Sequence, residues 1–254
     1  MSTCRSRFIS PWPTKEGHRN AAHTPPTVQI VRYSSNDTAV VIIDPQNDVL
    51  SPTGKNWDSV GASVTENNTV QHLLDILVAA KASDFKVFIS PHYFYPTDDT
   101  WLFNGPLESD EFRTSTFART GPLTLEGFTG SGADWLDEFK PYIDDGNTVI
   151  ASPHKVWGPH SNDLVLQLRK RAVSKVILCG MLANMCVESH LRDLLENGFE
   201  VAVVRDATAG PRHPTRGDGY QSALINYAFL AHAVIATEEV VSAMRVTAQL
   251  PESD

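Results

Sequence analysis

Six short runs of apolar residues, separated by segments of helical periodicity, constrain the fold more than any other feature of the sequence. Ala39 to Ile43, Lys86 to Ile89, Thr148 to Ala151, Val176 to Cys179, Val201 to Val204 and Ala233 to Ile235 are rich in aliphatic residues, and most lack the alternation of a half-solvated strand. A strand with no polar face is buried on both sides, which calls for a parallel sheet with helices packed above and below it. Between the runs, Val70, Leu73, Leu74 and Leu77 recur at helical spacing behind Ser63 and Glu66, which have the spacing of a capping box. Further helices are predicted over about 135–139, 162–171 and 220–230 and in the segment that carries Cys186. The fold predicted is α/β: a three-layer α/β/α sandwich on a six-stranded, doubly wound parallel sheet with strand order 3-2-1-4-5-6.

Residues 1–36, rich in Pro, Ser, Thr and His, read as an N-terminal extension in which only Val28 to Tyr33 suggests a short strand. Arg5 and Arg7, with no acid before Glu16, resemble an organelle-targeting peptide, but a plain tail is the reading taken. Residues 37–254 are expected to form a single domain. Within it, 93–132 breaks the strand–helix rhythm, as a lid, a partner-contacting arm or an ordinary surface loop would. A net charge of -9 argues against nucleic-acid and anionic-membrane partners and leaves a small molecule as the expected ligand. No run is long enough to span a membrane, and the 3 cysteines form neither a disulfide framework nor a zinc spacing. A reducing, cytoplasmic setting is therefore expected.

Cys186 lies just beyond the carboxyl end of the fourth run, where open α/β sheets place their sites. Val187, Leu191, Leu194 and Leu195 follow at helical spacing, so the thiol is expected at the mouth of a helix, where free N–H groups favour a thiolate. Cys179, inside an aliphatic run, reads as core. The first run ends in Asp44 and the third leads through Ser152-Pro153-His154 to Lys155, so a carboxylate, an ammonium and a thiol are expected on one rim. Taken singly, each has a plain structural explanation; together they suggest nucleophilic chemistry.

The segments Val40-Val41-Ile42-Ile43-Asp44-Pro45-Gln46-Asn47-Asp48, Ser152-Pro153-His154-Lys155 and Gly180-Met181-Leu182-Ala183-Asn184-Met185-Cys186-Val187-Glu188-Ser189 resemble the three signatures of the isochorismatase-like cysteine hydrolases. The resemblance spans about 39–244, and the cysteine segment is particularly similar to the ureidoacrylate amidohydrolase branch. It implies a catalytic triad of Asp44, Lys155 and Cys186, an oxyanion hole from the N–H groups of Leu182 and Cys186, and a cis peptide before Leu182. It further implies hydrolysis of a C–N bond in a small amide, carbamoyl or ureido compound through an acyl-enzyme, without a cofactor, by a homodimer or homotetramer. The alternatives are cleavage of a vinyl ether, as by isochorismatase itself, and a non-catalytic member that binds a ligand through the 93–132 arm.

Gln46, Asn47, His92, Trp157, His160 and Asn184 are expected to meet the substrate. His92 follows Ser90-Pro91 and lacks the aspartate with which nicotinamidases bind metal, so a pocket or structural role is preferred and no metal is expected. The chain departs from many members at Ala183-Asn184, where Thr-Asp is common, and in Val156-Trp157-Gly158-Pro159-His160 after Lys155. Asp206 reads as a turn or cap residue. Arg212, His213 and Arg216 read as a solvated turn or an anion contact. The apolar stretch Val240 to Val246 is a candidate subunit contact.

Overall fold

The computed structural model describes residues 33–247. Most of the N-terminal extension, the strand suggested from Val28 and Cys4 lie outside the described residues. The main sheet has six parallel strands: β1 (Thr38–Ile43), β2 (Lys86–Ser90), β3 (Val149–Ile150), β4 (Lys175–Met181), β5 (Glu200–Ala209) and β6 (Ala233–Ile235). Their order is 3-2-1-4-5-6, as the apolar runs predict. The winding reverses between β1 and β4, and a crevice opens beyond the carboxyl ends of two strands where their connections diverge in this way.

Every residue of β1 is buried, because each face of the sheet meets helices. Val40 and Ile42 pack with Leu73, Ile76, Leu77, Val240 and Met244 on one side. On the other, Ala39, Val41 and Ile43 pack with Leu164, Leu168, Leu191, Leu194 and Tyr227. Each such Val, Ile or Leu contributes roughly 1.5–3 kcal/mol by leaving water. The first layer holds α1 (Trp57–Glu66), α2 (Thr69–Ala82) and the last helix, which carries Val240 and Met244. In the intervening arm lies α3 (Pro106–Thr114), followed by α4 (Leu164–Lys170), α5 (Glu188–Glu196), α6 (Gly219–Leu230) and α7 (Thr237–Thr247).

Three sequence expectations change. Ser63 and Glu66 lie inside α1 rather than capping α2; the Ser63 hydroxyl accepts from the Gly210 N–H at 3.2 Å, and Glu66 pairs with Arg212. The chain breaks between the two helices at Asn68, whose φ of 50° is left-handed. A short helix occurs at Lys140–Ile143 rather than over 135–139, because Trp135, Leu136 and Phe139 are turned into the core. Val240 and Met244 are also buried in the chain's own core, so the candidate subunit contact at Val240 to Val246 is largely an internal face. Asp206 does act as a cap, with Oδ1 accepting from the Thr237 N–H at 2.8 Å. Among the described residues, no helix is long and apolar enough to cross a membrane.

Candidate active site

Asp44 follows β1 directly and has φ 48°, a left-handed conformation that costs a residue with a Cβ about 1 kcal/mol or more. Its N–H is held by the Ser90 carbonyl at 3.1 Å, and its carboxylate is buried beyond the end of β1. Beside it, β4 passes so close that a Cβ on Gly180 would lie 2.1 Å from the Ile43 oxygen, and Gly180 has φ 111°. Only glycine satisfies both demands. The Met181–Leu182 peptide is cis, and a π-type turn over Ala183–Val187 then leads into α5.

This turn brings the Cys186 sulfur and an Asp44 carboxylate oxygen within 4.8 Å of each other, and the thiol donates to the Val156 carbonyl at 4.0 Å. Cys186 is 3% exposed and Asp44 2%. The helix-mouth argument predicts a thiol shifted toward thiolate; the structure has the reverse. Burial pushes the thiol well up, and the charges of Asp44 and Glu111 push it further, because desolvation of the anion outweighs the helix terminus. Burial also raises Asp44 to about 7, against smaller opposing contributions from His92, His190 and the thiol.

The second motif is doubled: Ser90-Pro91-His92 after β2 matches Ser152-Pro153-His154 after β3, and His92 and His154 pair in parallel as the two segments run on. The rings lie 4.7 Å apart. His154 Nε2 is 2.8 Å from Asp44 Oδ1, so the imidazole holds the carboxylate. Lys155 does not join them. In an extended segment successive side chains point to opposite faces, so when His154 faces Asp44 its neighbour faces away. The Lys155 ammonium instead donates to Asp98 Oδ2 at 2.5 Å and to the Tyr93 carbonyl at 3.0 Å, and it lies 3.7 Å from the centre of the Tyr95 ring.

His92, His154 and His190 are fully buried, and burial lowers each to about 3, so the site is lined by neutral imidazoles. A carbonyl can only accept, so His92 carries its proton on Nε2, which donates to the Lys155 oxygen at 3.0 Å. His190 likewise donates from Nδ1 to the Cys186 oxygen at 2.7 Å, and its Nε2 lies 2.9 Å from the Ser90 hydroxyl. The Nδ1 atoms of His92 and His154 have no hydrogen-bond partner. Asp44, His92, His154 and Cys186 each offer one ligand atom, and these lie within 4.8 Å of one another. Two nitrogens, a sulfur and an oxygen form a donor set suited to Zn²⁺, and an ion there would take the thiol as ligand.

The expected substrate contacts separate. Gln46 is fully buried and clips backbone, donating to the His92 and Ala133 carbonyls and accepting from the His92 N–H. Asn47 bonds the Ser131 carbonyl. His160 is exposed and pairs with Asp193 at 3.3 Å. Asn184 packs at Gly219 with its Oδ1 buried and unpartnered. His92 and Trp157 remain at the site, the indole edge-on to the imidazole at 6.5 Å. Arg212 pairs with Glu66 and Asp218 in a surface hairpin.

The arm closes over the centre. Phe117 stacks on His92 at 4.8 Å, Phe94 packs on it at 4.6 Å, and the Phe117 N–H is tied to Asp48 Oδ2 at 2.7 Å. Within α3, Glu111 is 2% exposed and its Oε2 has no partner. Sequence reasoning passed over Glu111 because Pro106 to Thr114 reads as a polar surface helix; it passed over His190 because a lone histidine carries no spacing signal. The doubled Ser-Pro-His was the visible clue to His154.

A model of the isochorismatase domain matches residues 38–239. The chain belongs to the isochorismatase family. The isochorismatase-family relatives include the ureidoacrylate amidohydrolase RutB of Azorhizobium caulinodans, 27% identical over 193 residues that make up 70% of this chain and 79% of that protein. YwoC of Bacillus subtilis, an uncharacterized isochorismatase family protein, is 38% identical over 84 residues, 31% of this chain and 43% of that one. A cysteine hydrolase from Pseudomonas syringae pv. phaseolicola has the same fold, with a TM-score of 0.70 at 23% identity over 85% of this chain and 96% of its own. An N-carbamoylsarcosine amidase from Thermoplasma acidophilum gives 0.56 at 16% identity, covering 85% of this chain and 99% of its own.

Proposed function

We propose that this isochorismatase-family chain is a hydrolase of a C–N bond in a small amide, carbamoyl or ureido compound, with Cys186 as nucleophile. The observation that carries the reading is the buried Cys186 thiol with its sulfur within 4.8 Å of a carboxylate oxygen of buried Asp44. Ionised Asp44 takes the thiol proton as sulfur attacks the carbonyl carbon, and the carbonyl oxygen receives the pair of electrons that becomes an oxyanion. The N–H groups of Leu182 and Cys186 stabilise it, each by about 3 kcal/mol. Collapse expels the amine, which takes the proton from Asp44, and leaves a thioester. Water, deprotonated by Asp44, then releases the acid and restores the thiol.

His154 takes the place that the resemblance gives to Lys155: it orients Asp44 from Nε2 and remains neutral. With no ammonium beside it, Asp44 is ionised in about half the molecules near pH 7. The rate is therefore expected to climb as pH rises from 5 to about 8 and to level off once the base is ionised. Amine or ammonia release is to be measured across a panel of small amides, carbamoyl and ureido compounds with wild type and Cys186→Ala; activity that survives the substitution sinks the reading. A carboxyl still half protonated near pH 7 also suits acid cleavage of a vinyl ether, a reaction that needs no thiol. That second reading expects loss with Asp44→Ala and tolerance of Cys186→Ala.

A further inference from the structure

Glu111 is a buried acid of the arm that the chemistry above leaves unused and that, unlike Asp98, forms no ion pair among the described residues. Its Oε2 is buried without a hydrogen-bond partner, and such a group costs free energy until something donates to it. It borders a cavity of about 190 Å³ with Phe94, Tyr95, Phe112, Thr116 and Arg119. Phe94 forms the shared wall, packing on the His92 ring at 4.6 Å and on Phe112 at 4.5 Å. The Glu111 carbonyl accepts from the Thr116 N–H at 2.9 Å, which ties this turn of α3 to the Phe117 that stacks on His92. Burial first and the charge of Asp44 second push the Glu111 carboxyl up to about 8, and its own charge reaches Cys186.

The cations nearby are already engaged. Lys155 is neutralised by Asp98. Arg119 lies over the Tyr93 and Phe128 rings and donates to the Thr124 carbonyl. Among the described residues, no lysine or arginine forms an ion pair with Asp44 or Glu111. Lys155 and Arg119 are thus held by groups of the chain itself, whereas the Glu111 Oε2 has no donor, and a basic nitrogen would supply one.

Resting on the hydrolase reading, we propose that Glu111 is the specificity residue, whose free carboxyl oxygen accepts from an amine or amidine nitrogen a few atoms from the scissile carbonyl. The substrate class is then a basic amide rather than an acidic one. Two probes of matched length separate these, 4-aminobutanamide and succinamate, titrated calorimetrically into Cys186→Ser protein. The amine is expected to bind about tenfold or more tightly than the acid. Glu111→Gln is expected to remove that preference and, in the active enzyme, to raise KM for 4-aminobutanamide with kcat little changed. Equal or reversed affinity, no binding of either probe at tens of millimolar, or a preference that survives Glu111→Gln overturns the proposal. The Cys186→Ser titration decides even where Glu111→Gln fails to fold. A missing preference alongside hydrolysis that needs Cys186 refutes the role of Glu111 alone; hydrolysis that survives Cys186→Ala refutes the nucleophile alone.

Discussion

Replacing Asp44 by Asn is expected to make the protein more stable, and only above acid pH. Well below the ordinary 3.8 the carboxyl is protonated in the folded and the unfolded chain alike and contributes no difference. Above that, the unfolded chain releases its proton near the ordinary 3.8, while burial keeps the folded carboxyl protonated until about 7. The folded state therefore loses stability steadily across this window, at about 1.4 kcal/mol for each pH unit, and the loss is complete once the folded carboxyl ionises. From 3.8 to about 7 this amounts to about 4 kcal/mol. Asparagine keeps an oxygen to accept from His154 Nε2 and never ionises. Urea denaturation at pH 4 and pH 8 reads the difference: the variant should match wild type at the lower pH and exceed it by about 4 kcal/mol at the higher, moving the midpoint by more than about 1 M. Equal stability of the two proteins at pH 8 would refute the claim that Asp44 sits in a desolvated site without a compensating cation.

Gly180→Ala should cost more than about 3 kcal/mol, because the added carbon meets the Ile43 oxygen at 2.1 Å in a left-handed backbone; a melt within a degree of wild type would contradict this. Lys155→Met should destabilise by about 2 kcal/mol and speed amide exchange over 93–103, where Lys155 pins Asp98 and Tyr93, while leaving the pH profile of hydrolysis in place. A collapse of the rate to that of Cys186→Ala would instead make the ammonium part of the chemistry. Micromolar Zn²⁺ should inhibit and EDTA restore activity, because the ion would claim Cys186 and Asp44 together with the free nitrogens of His92 and His154. Activity that requires added metal after EDTA treatment would reverse that assignment.

The strands were legible in the sequence because an aliphatic run buried on both faces leaves its mark residue by residue, and β1, β4 and β5 needed only an extra residue or more at their ends. Asp44 and Cys186 were legible for the same reason: each is among the first polar or reactive groups after a run stops. The step from His154 to Lys155 was not. Both stand at the end of the third run, and which one faces the crevice depends on the parity of an extended segment, set by the pairing of His92 with His154. Glu111 and Gln46 were hidden differently. Their partners lie far away along the chain, so neither burial nor bonding leaves a local pattern; Gln46 reaches forward to Ala133 to hold the arm's far end.

Phe94 and Phe117 lie against His92, and Cys186 has only 3% of its surface in contact with solvent. If Cys186 is the nucleophile proposed above, its burial requires the arm to move before substrate arrives, and the opening frequency of that loop would cap the number of events per second, however fast the bond breaks.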